Sequence, residues 1–383
     1  MTSVVYLLPY LPLIVPASYV TNKKGIRFTL LLAASGNFIG SLLKVFSAHP
    51  NLFLLGLLGQ TISSVAQVFL LSMPPKLAGI WFDANQISIA CTIGIVGSEL
   101  GVGASCLFTP MIVQDHENID DIGHDLFMLF LIVAIATFVM LVFTIFFFQE
   151  EPLIPPSEAQ KLKYEGISNT IKSFKALLTN PPFVMLLFAF AIFDGILNSV
   201  NALLNPTLLP HFQNNGERLA GYVGVIWVVF GIFGCIVFGL ILDKTKKFKK
   251  LSIIVNIMSI IGMLAFTFAV ASENKLFVYL SAMVFGFFSS SYMVVGCETG
   301  VELTYPESEF NSSGLLFGAS FITGGVFTLL LTFILETTSE FWSNICMVVL
   351  LIIGTVFTIL TRNVRKRQAA LQPSIFNLNV NDT

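Results

Sequence analysis

Long apolar runs separated by short polar breaks fill the chain from end to end. Runs of about 20 mainly apolar residues, the length a helix needs to cross a bilayer, fall near 4–20, 27–46, 52–72, 86–112, 126–148, 182–205, 219–242, 251–271, 276–297, 313–335 and 342–361. In lipid every backbone N–H and C=O must be satisfied within the protein, and only a helix does this one segment at a time. The pattern therefore predicts an all-α polytopic membrane protein with eleven spans. Gly94, Gly97, Gly101 and Gly103 fall inside the fourth run, where small residues suit close helix approach.

The longest polar break, Gln149 to Asn180, separates five spans from six. It carries Glu150, Glu151, Glu158 and Glu165 against Lys161, Lys163, Lys172 and Lys175. Its start, with Pro152, Pro155 and Pro156, reads as an extended linker, followed by a short surface helix near 171–178. The expected organisation is a half-bundle over 1–148, a linker over 149–180, a six-helix bundle over 181–361 and a tail over 362–383. Composition agrees: 55% of the residues are hydrophobic and only 11% charged, against roughly 25% charged in a soluble domain. A formal charge of −2 leaves no basic surface for nucleic acid.

Charge orients the spans. Lys23, Lys24 and Arg27 follow the first, Lys244, Lys246, Lys247, Lys249 and Lys250 the seventh, and Arg362, Arg365, Lys366 and Arg367 the last. Alternation puts all three clusters on one side, which the positive-inside rule makes cytoplasmic, C-terminus included. The loop with Asp115, Glu117, Asp120, Asp121 and Asp125 then faces outward, and so does Met1. An exterior start without a basic leader predicts a preceding helix that this chain lacks. One more helix in front would make two six-helix halves.

Gly239-Leu-Ile-Leu-Asp243-Lys244 ends the seventh span, and Ser18-Tyr-Val-Thr-Asn22-Lys23-Lys-Gly25-Ile-Arg27 has the same spacing after the first. Two such copies, five spans apart, resemble the Gly-x-x-x-Asp-Lys/Arg pattern of the major facilitator superfamily. The resemblance implies that the Gly allows close packing and that the Asp faces the positive N-terminus of a helix in the other half. Asn22 replaces the acid in the first copy, which implies a softer latch there.

Three segments carry a narrower resemblance. Ala66-Gln-Val-Phe-Leu-Leu-Ser-Met-Pro-Pro-Lys-Leu-Ala-Gly-Ile-Trp81-Phe-Asp-Ala-Asn85, the linker start Glu151-Pro-Leu-Ile-Pro-Pro-Ser-Glu-Ala-Gln160, and Glu298-Thr-Gly-Val-Glu302-Leu-Thr-Tyr305-Pro306-Glu307-Ser-Glu309 are similar to the feline leukaemia virus subgroup C receptor (FLVCR) family, solute carrier family 49. The match places Met1 inside the family's second helix, so the eleven spans correspond to helices two to twelve. It implies a transporter of a small organic solute such as haem, choline or a related amine. It also implies a choline pocket made of a Trp on the first helix, a Tyr on the seventh and a Gln on each of the fifth and eleventh. The last three positions hold Asn198, Glu99 and Phe321 here, and the first has no counterpart. Choline recognition therefore cannot be carried over directly.

The residues present have a logic of their own. Asp194, Asn198, Asn201 and Asn205 lie within roughly 60° of one another on one helical face. Glu99 shares a face with Ser88, Thr92 and Cys106. Both carboxylates sit roughly 20 Å from the cytoplasmic end of their helices. At that depth a carboxylate costs about 2.5 to 3.5 kcal/mol and faces a cavity or a partner. No basic residue is expected there, so Glu99 and Asp194 are read as binding a cationic substrate or exchanging protons; the plainer reading is protonated packing residues. Tyr292 is picked from the aromatic residues as a pocket wall, since a cation is held well over a ring.

Elsewhere the signals are weaker. Glu298 and Glu302, with Glu307 and Glu309, cluster at a cytoplasmic helix end and read as a gate paired with Lys or Arg of another loop. The cysteines Cys91, Cys106, Cys235, Cys297 and Cys346 show no CxxC and no clustering with His, so neither a disulfide nor a metal site is expected. Nucleotide, hydrolase and metalloprotease motifs are missing, which argues against an enzyme and against a cofactor. The reading is a multi-pass transporter of a small cationic or proton-linked organic solute, with the plasma membrane as its location and the bilayer as its environment. A monomer is expected. A receptor, a sensor or an inactive truncated product stands as the alternative.

Overall fold

The computed structural model describes residues 9–83, 86–113, 118–152, 170–212, 216–362 and 366–367. The Pro-rich part of the linker after Pro152, the acidic residues Asp115 and Glu117, and the tail after Arg367 lie outside them. The described residues form twelve α-helices and one short 3-10 turn, with no strand among them. They are α1 (Tyr10–Phe46), α2 (Phe53–Leu71), α3 (Met73–Trp81), α4 (Ile87–Ile112), α5 (Ile119–Phe147), α6 (Thr170–Leu178), α7 (Pro181–Leu208), α8 (Gly216–Thr245), α9 (Phe248–Ala271), α10 (Lys275–Thr304), α11 (Glu309–Thr337) and α12 (Glu340–Leu360).

Ten helices are long and apolar enough to cross a membrane, one fewer than the sequence predicts. The difference lies in α1, where the first two expected spans run on as one 37-residue element broken at Gly25. Gly25 has φ +85°, which only glycine adopts without strain. The chain turns sharply there: the Thr21 and Thr29 hydroxyls stand 3.4 Å apart, whereas eight residues of straight helix span about 12 Å. The Glu150 carboxylate accepts from the Ile26 and Arg27 amides at 2.6 and 2.8 Å and so caps the second limb. The Arg27 guanidinium donates to the Ile145 carbonyl at 3.2 Å, joining the end of α5 to the same turn.

In chain order α1 to α5 form a first group and α7 to α12 a second, with the linker helix α6 between them; α1 packs on α2 and α5, while α4 packs chiefly on α8 of the second group. Apolar side chains gain nothing by leaving lipid for one another, so helices associate through small residues that let backbones approach. Gly40 meets Gly59 and Ser63, and Gly36 meets Ala66, across the second limb of α1 and α2. In the second group Gly286 packs on Trp227, Gly262 on Phe285, and Gly234 on the Phe287 carbonyl. Gly94 and Gly103 behave as the sequence predicts, against Pro74 and Val228, but Gly97 and Gly101 face open space. α5 is apolar all round and only 6% of its most hydropathic stretch is buried, as suits a helix facing lipid.

The lysine- and arginine-rich turns of α1, of α8 and α9, and of the tail lie on one face, called the basic face below. On the opposite face His211 joins the start of α12 to the end of α9 through Glu340 (2.7 Å) and Glu273 (3.4 Å). The linker helix α6 docks on the basic face. There Ser173 donates to the Glu307 carboxylate, Asn311 donates to Ser173 at 2.9 Å, and Ser18 of α1 donates to Asn311.

Two glycines of α8 offer a test of this packing. Alanine in a helix interior is favoured over glycine by about 1 kcal/mol, and a Cβ at Gly221 would meet nothing within 4 Å. A Cβ at Gly234 would press into the Phe287 carbonyl, which belongs to backbone and cannot step aside. Gly221→Ala is expected to raise the thermal midpoint of the detergent-solubilised protein, and Gly234→Ala to lower it by about 1 to 3 kcal/mol equivalent. Shifts of the same sign would contradict the packing.

Candidate functional site

Asp194 lies midway along α7 and is buried, 6% exposed. The Asn198 amide, one turn on, donates to its carboxylate at 3.4 Å and to its backbone carbonyl at 2.9 Å. The Ser320 hydroxyl of α11 stands beside the same carboxylate. Further along the stripe Asn201 and Asn205 are exposed. The stripe grades from a buried acid to exposed amides.

Glu99 comes from the other group of helices. It is half-buried on α4 and lies within electrostatic range of Asp194 and of Cys235 on α8. Among the described residues no Lys, Arg or His is recorded as paired with either acid. The two carboxylates thus lie within electrostatic range of each other across the seam, and buried negative charge costs energy until a cation or a proton joins it.

Towards the basic face the seam closes beneath them. Phe321 meets Tyr10 edge-to-face at 4.9 Å, and the Tyr10 hydroxyl is 2.7 Å from Ser72 Oγ. Below this ring pair Ile14 fills the space over Gly314, and Ser18 bonds Asn311. Above it, Val326, Leu329 and Phe333 of α11 are exposed. Phe321 is thus part of a floor.

Asp243 makes the firmest contact of the seam. Its carboxylate oxygens accept from the Ser88 and Ile89 amides at 3.2 and 2.8 Å, at the N-terminus of α4 in the other group. The amides are free there because the first turn of a helix has no internal acceptors, and the helix dipole favours the anion. One turn earlier Gly239 lies against Thr92, where a Cβ would collide with its hydroxyl. Lys246 pairs with Asp243 at 3.1 Å, while Lys244 is exposed. The first copy of the motif is built differently. Asn22 accepts from Lys76 at 3.0 Å and donates to Ser18 at 3.3 Å, and Lys23 bonds the Tyr19 hydroxyl at 2.9 Å. No helix end is capped by Asn22; an amide and a lysine replace the acid and the dipole.

Glu298 and Glu302 are fully buried at the basic end of α10. Arg367, beyond the last span, donates from Nη2 to Glu298 at 3.0 Å, and its Nε is 3.4 Å from Glu302. Burial works against the guanidinium's charge, but Glu298 and then Glu302 outweigh it and hold its pKa above the usual arginine range. Tyr292 is buried within electrostatic range of Asp194, with its ring 4.5 Å from Phe193 and 5.9 Å from Phe190 and its hydroxyl 3.5 Å from Thr358. Sequence reasoning missed Tyr10, Ser173 and the specific partner Arg367. Only Arg367 left a trace, as one member of a basic cluster.

Comparison with known proteins agrees with this architecture. A family model described as Major Facilitator Superfamily matches residues 1–312. A zebrafish protein named choline/ethanolamine transporter flvcr2a is 37% identical, the match covering 97% of this chain and 79% of the relative. The human choline/ethanolamine transporter FLVCR2 is 34% identical, with 98% and 72% covered. An uncharacterized MFS-type transporter of Caenorhabditis elegans, C09D4.1, is 36% identical over 96% of this chain, which spans 63% of that relative's length. Among solved structures, the Escherichia coli fucose:proton symporter FucP aligns with a TM-score of 0.73 at 11% identity, covering 94% of this chain and 90% of that one. The proton:xylose symporter XylE aligns at 0.69 and 15%, covering 97% and 88%. These last two establish the fold alone. The chain is a multi-pass membrane protein that belongs to the FLVCR family of the major facilitator superfamily, a superfamily of transporters rather than enzymes.

Proposed function

We propose that the protein carries a small organic cation across the membrane by alternating access, with residues 1–148 and 181–361 as the two moving halves and 149–180 as their linker. The observation that carries this reading is the pair Glu99 and Asp194. They lie within electrostatic range of each other across the seam, and Asp194 stands beside Ser320, next to the Tyr10–Phe321 ring pair. The basic face and the tail lie in the cytoplasm under the positive-inside rule, so this state is closed towards the cytoplasm. The plasma membrane is the location this suits.

Choline and ethanolamine are the first solutes to test, because the relatives are named for them. The side chains favour the second. A quaternary ammonium has no N–H and is best held by aromatic faces, whereas a primary ammonium donates to carboxylates and amide carbonyls. Glu99, Asp194, Asn198 and Asn201 supply acceptors, and Tyr292 and Phe321 supply rings. The same carboxylates can carry a proton in place of the cation, which links transport to pH. Asn22, Lys23, Arg27, Gly239, Asp243, Lys244, Glu298 and Glu302 belong to the gate at the basic face.

Uptake of labelled ethanolamine and choline by cells expressing the chain tests the site. Glu99→Gln and Asp194→Asn are each expected to weaken apparent affinity about tenfold, the loss of one charge-assisted contact of about 1.4 kcal/mol. Ethanolamine should be the better substrate of the wild type. Unchanged uptake with both acids neutralised would sink the proposal.

The gate has a separate test. Asp243→Asn removes the charge that faces the α4 amides, worth about 1 kcal/mol. In a Ser88→Cys background, thiol labelling from the basic face is expected to rise about fivefold. An unchanged rate would mean that Asp243 does not hold the seam.

A further inference from the structure

Arg367 lies outside the membrane-spanning helices, seven residues beyond the end of α12 at Leu360, yet it is only 8% exposed. Its partners, Glu298 and Glu302, are 0% and 1% exposed and stand one turn apart on α10. Two buried carboxylates at i and i+4 repel each other and are costly without a cation. A guanidinium answers this geometry better than an ammonium, because its planar fork can address one acid from Nη2 and the other from Nε. The pocket also reaches the other half of the molecule. Cys91 of α4, itself fully buried, lies against Glu298 and near Arg367, and Glu309 lies both near Arg367 and against Gly79 of α3. The tail cation therefore sits at the seam that must part for the basic face to open.

We propose that Glu298 and Glu302 form an intramolecular guanidinium site, that Arg367 is its ligand, and that occupancy of this site holds the basic face shut. Residues of both halves roof the pocket. With Arg367 in place one of the two negative charges is balanced and Glu298 keeps a guanidinium donor while dry. With Arg367 gone Glu298 loses that donor, and water reaches it most readily when α4 lifts away from α10. Binding of the tail and closure of the seam are thus two sides of one coupling, and each favours the other by the same factor. This deepens the alternating-access reading; its test follows conformation rather than uptake, so either can fail without the other.

The test reads alkylation of Cys91, with Cys106, Cys235, Cys297 and Cys346 replaced by serine in the full-length chain. In membranes exposed at the basic face, Arg367→Gln is expected to speed maleimide labelling of Cys91 by at least about tenfold, given the usual cost of stripping one partner from a buried pair. Arg367→Lys, which keeps the charge and loses the fork, should fall between that variant and the parent. Millimolar methylguanidinium added to Arg367→Gln should slow labelling again by filling the vacated site. A rate unchanged by Arg367→Gln would overturn the proposal. So would a fast rate that neither lysine nor methylguanidinium slows, because it would mean general loosening of the bundle rather than an emptied cation site.

Discussion

Helices in a bilayer have little hydrophobic reason to touch, because lipid solvates an apolar helix as well as another helix does. What joins them here is charge meeting helix end. The Asp243 carboxylate caps the free amides of Ser88 and Ile89, and the close contact of Gly239 with Thr92 allows the two helices to come near enough for that bond. The rest of the closed seam follows from this approach: the Tyr10–Phe321 ring pair, the Ser18–Asn311 bond, and the burial of Glu298 and Glu302 with Arg367. Closing that face is also what gives Glu99 and Asp194 their meaning, since an acid pair above a sealed floor is reached from one side only.

Asp243 and Asn22 occupy equivalent places in two copies of one motif, and their chemistry separates them. The acid takes a helix N-terminus in the opposite half. The amide, with no charge to offer a dipole, instead relays Lys76 to Ser18. The turn at Gly25 is capped by Glu150, a residue from the far end of α5. The two halves are therefore unequal latches, with the stronger one on the side of α8.

Much of this was legible in the sequence because membrane helices must be long, apolar and closed on themselves. The spans and the stripe from Asp194 to Asn205 follow from spacing, and the Asp243 contact from the resemblance of its motif to the superfamily pattern. Other features depend on which neighbours a helix meets, and spacing does not encode that. Gly97 and Gly101 have the look of packing residues and face open space. Tyr292 is one of many aromatics, and its contacts with Phe193 and Thr358 beside Asp194 required the fold. Arg367 stood in a basic cluster whose other members are accounted for by orientation, and its burial required the fold.

The central claim is that charge contacts close the basic face at rest while the opposite side stands open to the acid pair. Electron–electron distance measurements in lipid nanodiscs address it directly, with nitroxides at Lys24→Cys and Lys250→Cys on the basic face and at Asp121→Cys and Ser272→Cys on the opposite one. Without solute, the first pair should give one short, narrow distribution. Saturating ethanolamine should lengthen that pair and shorten the second. A broad or long basic-face distance at rest, or two faces that move in the same direction, would contradict the account.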